Sequence, residues 1–278
     1  MMNFLSLSLS RHNQGPRPAR GSNEPAIRPR SKPTGFDPDQ VFQLKPAADW
    51  QLNTHISLRN RYVYFQVCKS AGSTIVYHLQ TVEYLGTQFT VQDPRNKYLS
   101  PHLSPYQLEP ARLAGIMRDP TWRRFAFVRN PFTRLLSCYL HRIVAKPDSP
   151  SARHFRTASG DTGTPSFERF VTVVCGQSSL EMERHWRVQS DEILADVVPI
   201  DFIGRFENLR SDLERLSQFL YGRQAFDAKA LDRVNASPMQ TGAQSRIGEF
   251  YTDDLAALVV RRFRRDFELF GYPTTLPR

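Results

Sequence analysis

Lys69, Ser70, Gly72, Ser73 and Thr74 share one short turn, within Phe65-Gln-Val-Cys-Lys-Ser-Ala-Gly-Ser-Thr74, and their types suit the binding of a phosphate. Small residues such as Ala71 and Gly72 leave backbone N–H groups open to an anion, and hydroxyls and an ammonium add further donors. The ammonium stands out because only six of the 37 basic residues are lysines. The order of residues argues against one familiar phosphate chemistry. A Walker loop reads Gly-x-x-x-x-Gly-Lys-Ser/Thr, with the lysine directly before the magnesium-binding hydroxyl. Here Lys69 precedes Gly72, Gln66 to Cys68 stand where the first glycine belongs, and no apolar run ending in Asp follows. A P-loop kinase is therefore the less favoured reading.

A second pattern lies 60 residues on, in Phe127-Val-Arg129-Asn-Pro-Phe-Thr-Arg134-Leu-Leu-Ser137-Cys-Tyr139. An arginine at the carboxyl end of a strand, beside a helix start, can fork onto a phosphate. In open α/β sheets ligands bind at those strand ends. Two phosphate-directed sites on successive strands point to a nucleotide phosphorylated at two separated positions.

The elements that must position these residues repeat one theme. A strand over Tyr62–Val67 leads to a helix over about Ser73–Leu85, with Ile75, Leu79 and Val82 on one face. A strand over Phe125–Val128 leads to a helix over about Phe132–Val144, whose stripe is Leu135, Leu136, Tyr139, Leu140 and Ile143 and whose start fits Pro131. A third strand, Asp201–Phe206, precedes a helix carrying Leu213, Leu216 and Leu220. A last helix over about Thr252–Phe267 turns Arg261, Arg262, Arg264 and Arg265 outward, as an anion-recognising or simply solvated face. Continuous apolar strands alternating with helices predict an α/β fold, a mostly parallel central sheet covered by helices on both faces. Residues 146–166 read as a long polar loop. Residues 1–45, rich in Pro, Arg, Ser and Asn without apolar periodicity, read as a disordered basic tail, and 46–278 as one globular domain.

Lys-Ser-Ala-Gly-Ser-Thr followed by Phe-Val-Arg-Asn-Pro-Phe-x-Arg-Leu-Leu-Ser-x-Tyr resembles the carbohydrate sulfotransferases that use 3′-phosphoadenosine 5′-phosphosulfate (PAPS). Further similar pieces are His185-Trp-x-x-Gln189, Asp201-Phe-Ile-Gly-Arg-Phe-Glu207-Asn-Leu, Asn235-Ala-Ser237 and Asp266-Phe-Glu-Leu-Phe-Gly-Tyr272, so the likeness spans about residues 62–272. The resemblance implies a P-loop-like three-layer sandwich and sulfuryl transfer from PAPS to an acceptor hydroxyl, on a glycan, glycolipid or other hydroxyl compound. It implies that Lys69, Ser70, Ala71, Gly72, Ser73 and Thr74 hold the 5′-phosphosulfate, and that Arg129 and Ser137 hold the 3′-phosphate. Lys69 would also be catalytic, neutralising charge on the leaving oxygen, with no metal needed. One departure is Asn130, where the family usually carries Asp. Golgi members begin with a membrane anchor that this chain lacks, so a soluble bacterial-type member fits better.

The acceptor hydroxyl needs a base. His102, in the proline-flanked Ser-Pro-His-Leu-Ser-Pro, lies between the two motifs and is the first choice; His185 and Glu83 are the alternatives. A formal charge of +10 favours polyanionic partners, including anionic surfaces, with nucleic acid not expected. Cys68, Cys138 and Cys175 form no metal spacing or disulfide framework, and no window reaches the ~18 apolar residues of a membrane span. A cytoplasmic protein is expected. The competing non-enzymatic reading is a nucleotide- or polyanion-binding module that has lost catalysis, against which the intact Lys69 argues.

Overall fold

The computed structural model describes residues 36–226 and 241–277. Chain order runs α1 (Pro38–Leu44), α2 (Ala47–Asn53), β1 (Thr54–Ser57), β2 (Tyr62–Phe65), α3 (Gly72–Glu83), α4 (Pro110–Arg118) and β3 (Arg123–Val128). It continues with α5 (Pro131–Cys138), α6 (Pro150–Ser159), α7 (Phe167–Gly176), α8 (Gln189–Glu192), β4 (Phe202–Arg205) and α9 (Leu209–Tyr221). Helices Asp253–Arg262 and Arg264–Phe270 close the chain.

The four strands lie in the order β1-β2-β3-β4. β2, β3 and β4 are parallel, with Tyr62 opposite Arg123 and Val128 opposite Arg205. β1 is an antiparallel edge strand, Thr54 opposite Phe65, which makes the sheet mixed. The alternation of strand side chains divides the interior in two. Tyr62, Tyr64, Phe125 and Phe127 pack with Ile75 and Leu79 of α3 and Leu213 and Leu216 of α9. Val63, Phe65, Ala126 and Val128 face the larger core with α4, α5, α7 and the last helices. Helices thus flank both faces, as the run of apolar strands requires.

Three expectations change. Residues 36–45, assigned to the tail, are folded: Phe36 and Val41 enter the large core, and Lys45 is fully buried. Lys45 Nζ meets the Glu192 carboxylate at 3.5 Å, whose other oxygen takes Arg187 Nη1 at 2.8 Å. A lysine heading a polar segment is easily read as solvated, because its carboxylate partner is 147 residues away. The polar stretch 146–166 contains α6, capped by Ser149, with Ala152 and Phe155 buried. The last helix breaks at Phe263 instead of running through. Of its arginines, Arg262 Nε bonds the Gln177 carbonyl, while Arg264 and Arg265 form surface pairs with Glu268 and Asp196 on the exposed face. The similar piece Asn235-Ala-Ser237 lies outside the described residues.

Gly204 of β4 lies under the ring of Phe127: a Cβ there would stand 2.3 Å from Phe127 Cε1. Gly204→Ala should therefore destabilise the fold by about 1–3 kcal/mol through overpacking. Urea denaturation checks this, and an unchanged midpoint would contradict it.

Candidate active site

The loop after β2 is built on strain. Lys69 and Ala71 both adopt the left-handed region, at φ 69° and 61°, which costs a residue bearing a Cβ. The alternation turns successive N–H groups to one side and delivers them into the first turn of α3, an anion-binding concavity. Gly72 is required there, since a Cβ would lie 2.6 Å from Gln66 Nε2. Arg134, almost fully buried, holds the loop from behind: its Nε bonds the Cys68 carbonyl at 3.0 Å and its Nη1 the Arg187 carbonyl at 2.8 Å.

The second motif closes on the first. Asn130 caps α5 by accepting from Phe132 N at 3.0 Å, a task any short carbonyl-bearing side chain performs, and this accounts for Asn in place of Asp. Arg129 is buried, with Nη1 on the Lys69 carbonyl at 3.2 Å, Nε on Thr133 Oγ1 at 3.1 Å and its guanidinium 4.0 Å from the Phe206 ring centre. It forms no ion pair among the described residues, and burial pulls its pKa down to about 10 despite nearby Glu207. A buried cation without a carboxylate is prepared for an external anion. Its backbone is clamped by Gln189, whose amide both accepts from Arg129 N (2.9 Å) and donates to Arg129 O (2.8 Å). Gln189 N and Ser190 N in turn donate to the fully buried Asp266, each at 2.8 Å.

Between these motifs opens a cleft of about 1200 Å³. Lys69, Ala71, Gly72, Ser73, Thr74, Arg129 and Ser137 all line it, so the structure brings together both expected halves. Ser70 is not on the lining: it is fully buried, and its hydroxyl has no partner among the described residues. Lys69 Nζ meets His141 Nδ1 at 2.9 Å. Burial lowers the lysine to about 8, and burial together with Lys69 lowers His141 to about 4, so the imidazole is neutral and accepts. Sequence reading passed over His141 as a helix residue. Its place four residues after Ser137 was the available signal, and the chain there winds into a π-helix, Tyr139–Val144, a distortion frequent at functional sites.

The cleft does not include His102. That ring is 2% exposed, its Nε2 meets the Tyr62 hydroxyl at 2.7 Å, and burial drives it down to about 3. The proline-flanked segment reads as an exposed loop, but Leu103 pairs with Ile56 of β1 and carries His102 into the interior. Glu83 is also away from the cleft, accepting from Asn60 Nδ2 at 2.8 Å. His185 does line it. Its Nδ1 stands 2.8 Å from the Glu183 carboxylate. Burial disfavours the imidazolium, but Cys68 and Glu183 outweigh it and raise the His185 pKa. Burial likewise opposes ionisation of Glu183, yet His185 and Arg184 hold that carboxyl at about 2. Cys68 is buried and borders the cleft.

A comparison with family models matches residues 53–273 to the sulfotransferase family. The chain belongs to that family. No curated protein and no solved structure matches it. Sulfotransferases move a sulfuryl group, and the matched span takes in β2, β3, β4 and every cleft residue discussed here. Among the described residues no helix is long and apolar enough to cross a membrane.

Because Asp266 fixes Gln189 and Gln189 fixes Arg129, Asp266→Ala should orphan two buried N–H groups and cost about 3 kcal/mol or more. Chemical denaturation measures that loss. Asp266→Asn, which keeps one acceptor, should lose less; equal stability of all three proteins would rule out the clamp.

Proposed function

We propose that this sulfotransferase takes its sulfuryl group from PAPS and passes it to a hydroxyl of a saccharide or glycoconjugate, on a P-loop-like scaffold. The observation that carries the reading is the convergence of half-buried Lys69 and buried Arg129, two cations without carboxylate partners among the described residues, on one cleft at the ends of adjacent parallel strands. PAPS would supply an activated sulfuryl group on a nucleotide bisphosphate leaving group.

The strained loop and the start of α3 hold the 5′ end through backbone N–H groups and the hydroxyls of Ser73 and Thr74. Arg129 and the Ser137 hydroxyl, which accepts from Thr241 Oγ1 at 3.2 Å, hold the 3′-phosphate. Lys69 leaves His141 and places its ammonium where charge builds on the leaving oxygen. Preorganised charge and orientation suffice for such an in-line transfer. For the acceptor proton, His185 takes the place first given to His102. Glu183 fixes the proton on Nδ1, leaving Nε2 to accept, the arrangement that keeps a general base in one tautomer.

The rate of sulfate transfer should be bell-shaped in pH. It rises as His185 loses its proton, above the ordinary histidine value of 6.5, and falls as Lys69 loses its own above about 8. A screen with sulfur-labelled PAPS against glycans, glycolipids and small alcohols supplies the assay. His185→Ala should lower turnover roughly 100-fold or more while nucleotide affinity holds. A variant at His102 that stays folded but loses turnover, beside an active His185→Ala, would return the base to His102. Preference for Mg-ATP over adenosine 3′,5′-bisphosphate in calorimetry would defeat the donor reading.

A further inference from the structure

Behind the phosphate loop, on the side of β1, lies a chain of polar groups that the transfer reaction as described leaves unused. Lys97 Nζ bonds the Thr54 carbonyl at 2.9 Å and meets His55 Nδ1 at 3.3 Å. His55 Nε2 meets Gln66 Oε1 at 2.8 Å. Gln66 itself lines the cleft, immediately after β2.

The direction of these bonds follows from what each group can do. As an ammonium Lys97 can only donate, so His55 Nδ1 accepts; burial brings Lys97 down to about 7, and the bond direction is fixed below that pH. Burial, then Lys97, keeps His55 well below its ordinary pKa, so the ring is neutral and carries a single proton. That proton must sit on Nε2, and it is donated to Gln66. The Gln66 atom facing His55 is therefore the carbonyl oxygen, and its NH2 group faces the other way. The NH2 lies over Gly72, the first residue of α3, close enough that a Cβ on Gly72 would collide with it. Among the described residues it donates to no protein acceptor. Gln66 thus presents an amide whose donors are unused beside Gly72, on the same cleft that Lys69 lines.

We infer, on the reading of the cleft as a phosphosulfate-donor site, that Gln66 is a further ligand-binding residue whose amide N–H groups bond an anionic oxygen at the phosphate loop, and that His55 and Lys97 are positioning residues that fix which end of that amide faces the cleft. The anionic oxygen belongs to the 5′-phosphate or to the sulfuryl group, which share this chemistry. Gly72 contributes by omission, since any side chain there would occupy the place of the amide.

Calorimetry on the full chain with adenosine 3′,5′-bisphosphate and with PAPS separates the possibilities, with thermal melting to confirm that each variant is folded. Gln66→Leu should weaken nucleotide binding about 10-fold or more by removing the donors. Equal weakening of both nucleotides assigns the contact to the 5′-phosphate, and selective weakening of PAPS assigns it to the sulfuryl oxygens; both support the inference. Lys97→Met should reproduce part of the loss, whereas Lys97→Arg, which still only donates, should bind as the wild type does. Gln66→Leu binding both nucleotides normally would overturn the role of Gln66, and Lys97→Met binding normally would overturn the relay. A wild-type protein that binds neither nucleotide would instead remove the donor reading itself.

Discussion

The hydrogen bonds from Gln189 N and Ser190 N to Asp266 fasten three distant parts of the chain at one buried point. Asp266 comes from the last helix, Gln189 from α8, and the Arg129 backbone that Gln189 grips on both sides from the end of β3. A carboxylate taken fully out of water is costly unless its lone pairs are filled. Burial pushes the Asp266 pKa up, and the N–H groups of Gln189 and Ser190, with the charge of Arg134, counter that. The carboxylate thus demands a fixed arrangement of its neighbours, and that arrangement is what holds Arg129 at the cleft. Arg134 carries the same logic to the other half, bonding the Cys68 carbonyl at the entry to the phosphate loop. The two halves of the site therefore share one buried polar frame.

Such a frame explains how the loop tolerates two left-handed residues that are not glycine. Isolated, Lys69 and Ala71 would relax to ordinary backbone. Held between Arg134 behind, Arg129 Nη1 on the Lys69 carbonyl, and α3 ahead, they cannot. The strain is maintained where backbone N–H groups are needed, which is the usual place for it.

Much of this was legible in the sequence because it is local. The β2 and β3 strands and the helices after them follow from contiguous patterns of apolar period, turn chemistry and a proline at a helix start, and the same patterns single out the Lys69–Thr74 turn and Arg129, while Ser137 came only with the family resemblance. What escaped depends on contacts between remote segments. Lys45 reads as solvated until Glu192 meets it, and β1 is a four-residue edge strand with a histidine in its middle. His102 sits in a segment whose prolines suggest a surface loop, yet a single bridge to β1 buries it. His185 carried a weaker signal, and only its pairing with Glu183 on the cleft wall separates it from the other histidines.

The contact between Lys69 and His141 gives the cleft a means of discrimination. The ammonium rests on a neutral partner, so leaving it sacrifices one hydrogen bond and no ion pair. A group bearing full negative charge gains far more from that ammonium than an imidazole does, and it draws the lysine across. An uncharged molecule of the same shape offers nothing better than His141 and leaves the lysine where it was. On the proposed reading of the cleft, the pair works as a filter on charge, admitting an anion and leaving neutral visitors without the cation they would need.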